Sequence, residues 1–81
     1  VPKTSIPNYS EFYEKRQFAP APEDNSTVTL CGQTAPFGKL VFACENVKEL
    51  VLGVEICEDM WAPVSPSAAL AAAGATVIVN L

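Results

Sequence analysis

Gly53-Val54-Glu55-Ile56-Cys57-Glu58-Asp59-Met60-Trp61-Ala62-Pro63 is the stretch on which the fold turns. Together with Leu50-Val51-Leu52 it predicts a buried strand over 50–56. That strand ends at a cysteine, two acids and a tryptophan, and Pro63 blocks a long helix immediately after. A cysteine at the end of a stiff strand, where the chain turns sharply, can point out of the sheet at a bound substrate, as a nucleophile must. The same residue suits a small core position, because free cysteine is among the most buried residue types. Glu55, Glu58 and Asp59 all lie within two residues of Cys57. Nearby carboxylates disfavour a thiolate, and three acids around an inert core thiol are costly to bury. A reactive Cys57 therefore needs a base to take its proton and a cation to hold an oxyanion. Without them the acids are solvated surface.

Downstream, Ser65 is a good N-cap and Pro66 a good first helical residue. Ala68 to Ala73 is alanine-rich and helical, and Gly74 ends it. The apolar run Ala75-Thr76-Val77-Ile78-Val79-Asn80-Leu81 follows at once. Strand, cysteine turn, helix, strand is a βαβ-type unit, so the two strands should be parallel with a right-handed crossover. Continuous apolar strands belong in sheets buried on both faces. The chain is thus expected to be part of a larger domain, with the edge at 75–81 bare in the isolated piece.

Upstream, Asn8 and Glu11 have the spacing of a capping box, and Tyr9, Phe12 and Tyr13 fall on one face of a short helical turn closed by Glu14 to Phe18. Pro20 to Ser26 is a loop by composition. Thr27 to Cys31 alternates and reads as a strand, Thr34 to Gly38 as a turn, and Lys39 to Cys44 as a second strand hairpinned to the first. Cys31 and Cys44 are expected to pack rather than react. Glu45 to Glu49 is a polar connection.

The chain has 81 residues, a formal net charge of -4 and 49% hydrophobic residues, which separates it from disordered segments. A chain this short buries a limited core. The acidic balance argues against nucleic acid or an anionic membrane as partner. No apolar run has transmembrane length, and Val1-Pro2-Lys3 is no signal peptide. The three cysteines form no C-x-x-C pair and there is no histidine. That argues against a structural zinc site and rules out a Cys–His pair within the chain. An odd cysteine count without close pairs suits a reducing compartment, here the cytoplasm.

The 53–63 stretch resembles the nucleophile motif of the carbon–nitrogen hydrolase (nitrilase) superfamily. Pro2-Lys3-Thr4-Ser5-Ile6-Pro7-Asn8-Tyr9, with Glu11-Phe12-Tyr13-Glu14-Lys15-Arg16, resembles the lysine motif of one branch, the glutaminase domains of glutamine-dependent NAD synthetases. Pro36-Phe37-Gly38 and Gly74 to Leu81 resemble the same branch, so the likeness runs in order along nearly the whole chain. It implies that the α/β elements are a fragment of a nitrilase-type αββα sandwich, with residues 1–81 one part of the glutaminase domain. It also implies a Glu–Lys–Cys triad with Cys57 as nucleophile and Lys3 as catalytic lysine, the general-base glutamate lying before Val1. Glu14 matches a second glutamate that holds the lysine. Glu58 matches the residue whose backbone N–H serves the oxyanion hole, and Tyr9 a lining residue of the glutamine pocket.

The activity implied is release of ammonia from glutamine through a cysteine-bound glutamyl thioester. That ammonia would feed a separate synthetase domain, with ATP and magnesium, that amidates nicotinic acid adenine dinucleotide. The partners implied are glutamine, the remainder of the domain, the synthetase domain and further copies in a homo-oligomer. The isolated piece, lacking the base, should be inactive on glutamine. Two departures from the branch stand out. The Phe37-Gly38-Lys39-Leu40 loop is short, and Ala19-Pro20-Ala21-Pro22 lacks an expected glycine. Another nitrilase-type amidase or carbamoylase, or a non-catalytic nitrilase-like module, remains as an alternative.

Overall fold

The computed structural model describes residues 1–10 and 13–81. Among the described residues, five strands and one α-helix form a mixed α/β structure: β1 (Ser26–Leu30), β2 (Gln33–Phe37), β3 (Val41–Ala43), β4 (Val51–Glu55), α1 (Pro66–Ala72) and β5 (Val77–Asn80). Two 3₁₀ turns, Glu14–Arg16 and Cys57–Trp61, complete it. The strands form two sheets, β1-β2 and β3-β4-β5.

The larger sheet is built on β4. Its β-branched and leucine side chains favour a pleated strand, and the chain leaves it at Ile56 for the 3₁₀ turn, short of Pro63. β5 pairs with β4 in parallel, Gly53 opposite Ile78 and Glu55 opposite Asn80, as the strand–turn–helix–strand order predicts. Between them α1 begins where expected. Ser65 Oγ accepts from the Ser67 N–H at 3.3 Å, and Pro66 occupies the first turn, where its missing N–H costs nothing. Leu70 of α1 is the one buried large apolar residue among those described, 4% exposed. It reaches β4 because position 53 has no side chain. A Cβ there would stand 2.8 Å from Ile78 Cδ1 and 3.0 Å from Leu70 Cβ. Thr76 ties the strand starts together, its hydroxyl donating to the Glu49 carbonyl at 2.6 Å and accepting from the Val51 N–H at 3.1 Å. The sheet is not enclosed within this chain, for Val77, Ile78, Val79 and Leu81 remain exposed.

The other half of the sequence reading needs correction. Residues 34–38 are not a turn. Most of them form β2, which pairs antiparallel with β1 through a two-residue loop, Cys31-Gly32. Both loop residues have positive φ, 50° and 74°, as the tight hairpin turn that matches strand twist requires. Cys31 is therefore an exposed loop tip, not a packing residue on a strand. β3 pairs with β4, not with β1. Asn25 closes the base of the hairpin, its Oδ1 accepting from the Lys39 N–H at 2.9 Å and its Nδ2 donating to the Lys39 carbonyl at 3.3 Å. Cys44, just past β3, is half-buried and its N–H donates to the Leu50 carbonyl at 3.0 Å.

Near the N-terminus the helical turn covers Glu14–Arg16 and begins after Tyr13, which is exposed, with Arg16 Cζ 4.9 Å from its ring centroid. The capping partner Glu11 and the apolar Phe12 lie outside the described residues. No helix among the described residues is long and apolar enough to cross a membrane.

Candidate active site

The N-terminal segment and the turn after β4 are joined by a buried carboxylate. Asp59, 1% exposed, lies in the 3₁₀ turn that starts at Cys57. Its carboxylate accepts from the Thr4 N–H at 3.0 and 3.1 Å, from the Ser5 N–H, and from the Ile56 N–H at 3.2 Å. Backbone N–H groups of two distant segments thus converge on one ionised group, the strong kind of hydrogen bond. Lys3, next to Thr4, is carried to the end of β4 in consequence.

Lys3 Nζ donates to Glu14 Oε2 at 2.8 Å, an ion pair whose side chains are 15% and 30% exposed. The backbone holds both partners in place, with the Glu14 N–H donating to the Pro7 carbonyl at 3.3 Å and the Ala21 N–H to the Lys3 carbonyl at 2.9 Å. Desolvation by burial pushes the Lys3 amine down. The hydrogen bond to Glu14 and the charges of Cys57, Glu14 and Asp59 outweigh it, leaving the pKa raised above 10.5. Lys3 is therefore an ammonium at neutral pH, the cation that the acids around Cys57 call for, and it cannot serve there as a base. An open cavity of about 380 Å³ adjoins it, with Lys3, Glu14, Ile6, Phe18 and Ile56 in its wall. Cys57 follows Ile56 directly.

Cys57 is exposed and unpaired with any other cysteine. Among the described residues it does not pack as a core residue. Its backbone has φ 52°, a left-handed conformation that costs an ordinary residue roughly 1–3 kcal/mol and survives only where the surroundings enforce it. Such strain clusters at functional sites, though Cys31 shows it too, at the tip of the hairpin. Among the described residues nothing accepts from the Glu58 backbone N–H. The Glu58 side chain instead accepts from Tyr9 Oη at 2.9 Å on the exposed surface.

Of the residues singled out from the sequence, Lys3 and Glu14 are in contact, Cys57 lies in the electrostatic surroundings of Lys3, and Tyr9 is bonded to Glu58. The acids near Cys57 divide by role. Asp59 is the clasp just described. Glu55, 3% exposed, accepts from Ser65 Oγ at 2.9 Å, the Ser67 N–H at 3.2 Å and Asn80 Nδ2 at 3.4 Å. Neither is solvated surface. Sequence reasoning missed Asn80 altogether, although a lone amide at the end of an apolar strand was a signal. Among the described residues, no cluster of three histidine, cysteine, aspartate or glutamate side chains could hold a metal ion.

In sequence, the chain is similar to glutamine-dependent NAD(+) synthetases. It is 53% identical over 82 residues to one from Mycobacterium leprae (strain TN) and 50% identical over 82 residues to one from Mycobacterium tuberculosis (strain ATCC 25618 / H37Rv). Each match covers 100% of this chain and 12% of the relative. A Thermotoga maritima protein of the same name is 40% identical over 80 residues, covering 98% of this chain and 11% of that protein. The chain thus spans about 12% of the length of the curated relatives it matches. No family model matches it.

Proposed function

We propose that residues 1–81 are part of the glutaminase domain of a glutamine-dependent NAD(+) synthetase, a carbon–nitrogen hydrolase of the nitrilase type, in which Cys57 is the nucleophile. The observation that carries the reading is the clasp of Asp59 on Thr4 and Ser5, which brings the Lys3 ammonium to the turn presenting Cys57. The similarity to synthetases of that name supports the substrate.

In the reaction, the Cys57 thiol gives its proton to a glutamate carboxylate of the same domain lying outside these residues. The sulfur attacks the side-chain amide carbon of glutamine. The oxyanion that develops meets the Lys3 ammonium and the Glu58 backbone N–H. On collapse the carbon–nitrogen bond breaks, and the acid returns the proton to the leaving amine, giving ammonia and a glutamyl thioester. Water activated by the same carboxylate then attacks the thioester. A carbon–oxygen bond forms, the carbon–sulfur bond breaks, and glutamate leaves with the thiol restored. Glu14 keeps Lys3 charged and in place. Tyr9, bonded to Glu58, is the residue we assign to the lining of the glutamine pocket, as the resemblance implies.

The ammonia is used by an ATP-dependent domain of the same protein to amidate nicotinic acid adenine dinucleotide. The rest of the glutaminase domain completes an αββα sandwich over the exposed Val77, Ile78 and Val79. The intact protein works in the cytoplasm as a homo-oligomer, and three free thiols suit that reducing compartment.

The test is Cys57→Ala in the intact protein, assayed for NAD formation with glutamine and with added ammonia. Glutamine-dependent activity should fall roughly 10³-fold or more, while ammonia-dependent activity persists. Equal loss of both on a folded variant would remove Cys57 from the glutaminase step. Retention of both would do the same.

A further inference from the structure

The carboxyl end of β5 grips the Cys57 backbone from two sides. The Leu81 carbonyl accepts from the Cys57 N–H at 2.8 Å. Asn80 Nδ2 donates to the Cys57 carbonyl oxygen at 3.3 Å and to Glu55 Oε1 at 3.4 Å. A primary amide has two N–H groups, so both bonds form together. Glu55 fixes which way that amide faces, because its other oxygen already accepts from Ser65 Oγ and the Ser67 N–H. Turning the amide over would set an oxygen against a buried carboxylate.

The consequence runs through one rigid plane. The Cys57 C=O and the Glu58 N–H belong to the same trans peptide and point in opposite directions. A donor that holds the carbonyl on one side therefore aims the N–H on the other. It also polarises the peptide and strengthens that N–H as a donor. The geometry points to Asn80 as a positioning residue for the oxyanion hole: its amide, oriented by Glu55, fixes the Cys57–Glu58 peptide so that the Glu58 N–H faces the reacting carbonyl. This inference rests on Cys57 being the nucleophile. Asn80 itself touches no substrate. Its effect falls on the transition state, where the oxyanion exists, and hardly on ground-state binding.

The test exchanges donor and acceptor in the intact protein. Asn80→Asp alone removes both donated bonds and sets two carboxylates together, lowering both stability and turnover. The double variant Glu55→Gln with Asn80→Asp keeps the net charge. The amide introduced at position 55 can accept from Ser65 and Ser67 with its oxygen and donate with its nitrogen to the carboxylate introduced at position 80. That rebuilds the side-chain pair but leaves the Cys57 carbonyl without a donor. The melting temperature should therefore recover towards wild type, while kcat for ammonia release from glutamine stays roughly 10- to 100-fold low at little-changed KM. Recovery of kcat together with stability would overturn the inference and leave Asn80 a purely structural residue. Asn80→Ala, assayed well below its own melting temperature, gives a second reading. The same kcat loss at unchanged KM is expected, and a wild-type kcat overturns the inference. Iodoacetamide labelling of the unsubstituted protein separates the two levels. Cys57 should react faster than Cys31 and Cys44, and equal rates would remove the nucleophile itself and this inference with it.

Discussion

The β1-β2 hairpin and the β4-to-β5 unit are both short pieces of sheet, yet they are held together in opposite ways. The hairpin is local. Its two-residue turn sets the register, Thr29 and Thr34 hydroxyls pair at 2.8 Å on an exposed face, and β1 and β2 contribute no buried side chain. The β4-to-β5 unit buries two carboxylates, Glu55 and Asp59, and satisfies each with donors brought from elsewhere in the chain. A surface hairpin needs only compatible turn and strand residues. A site that displays a strained cysteine needs its surroundings over-determined, and buried carboxylates ringed by N–H and O–H groups do that.

Removing a cation from each region gives the largest contrast. On the proposed mechanism, Lys3→Ala should cut glutamine turnover by roughly 10²-fold or more, since it deletes the charge proposed to meet the developing oxyanion. Lys39→Ala, at an exposed position beside the hairpin, should leave turnover within about twofold, because surface substitutions away from such features are nearly neutral. Ammonia release by the two variants is the measurement. Near-normal turnover by the Lys3 variant would take Lys3 out of the site.

Stability should divide the same regions more gently. Asp59→Asn exchanges an acceptor ringed by N–H donors for a group that presents an N–H of its own. It should cost about 1–3 kcal/mol in denaturant unfolding. Thr29→Ala loses one exposed hydroxyl pair and should cost less than about 1 kcal/mol. Comparable losses would mean that the clasp on residues 4 and 5 is not what holds the site together.

The smallest effect is in pH. Because the folded protein raises the Lys3 pKa above 10.5, the stabilisation from its charge is fully present below that value and is lost as pH rises through the folded-state pKa. Stability curves of wild type and Lys3→Met should therefore be offset by a constant amount from neutral pH to about 10, then converge in more alkaline solution. A wild-type advantage that stays constant into strongly alkaline solution would mean that folding leaves the Lys3 pKa unshifted, and one that grows with pH from neutral to about 10 would mean that folding depresses it.

The parts of the fold readable in advance were those with local causes. The Ser65-Pro66 start of α1, the parallel β4–β5 pair and the sharp turn at Cys57 follow from residue types a few positions apart. The hairpin was misplaced because Pro36 in Thr34 to Gly38 reads as a turn residue. Among the described residues β2 pairs only with β1, and an edge strand tolerates a proline whose missing N–H faces outward. The better signal was Gly32, just where two positive φ angles are needed. In the site, the acid cluster implied that a reactive Cys57 would need a cation, but only the resemblance to a known motif named Lys3 and Glu14. The tasks of Asp59, Glu55 and Asn80 were illegible because their partners are distant in sequence, and no local pattern marks a carboxylate whose donors lie about fifty residues away.

The Asp59–Thr4 clasp also bears on the order of assembly. Thr29 and Thr34 are 5 residues apart, whereas Thr4 and Asp59 are separated by 55. Closing the longer loop costs about 2 kcal/mol more chain entropy, and contacts of such separation form late in folding. Thr4 and Lys3 leave the ribosome long before their counterparts in the turn exist. The Lys3 ammonium thus reaches the turn at Cys57 only once this long-range clasp has closed.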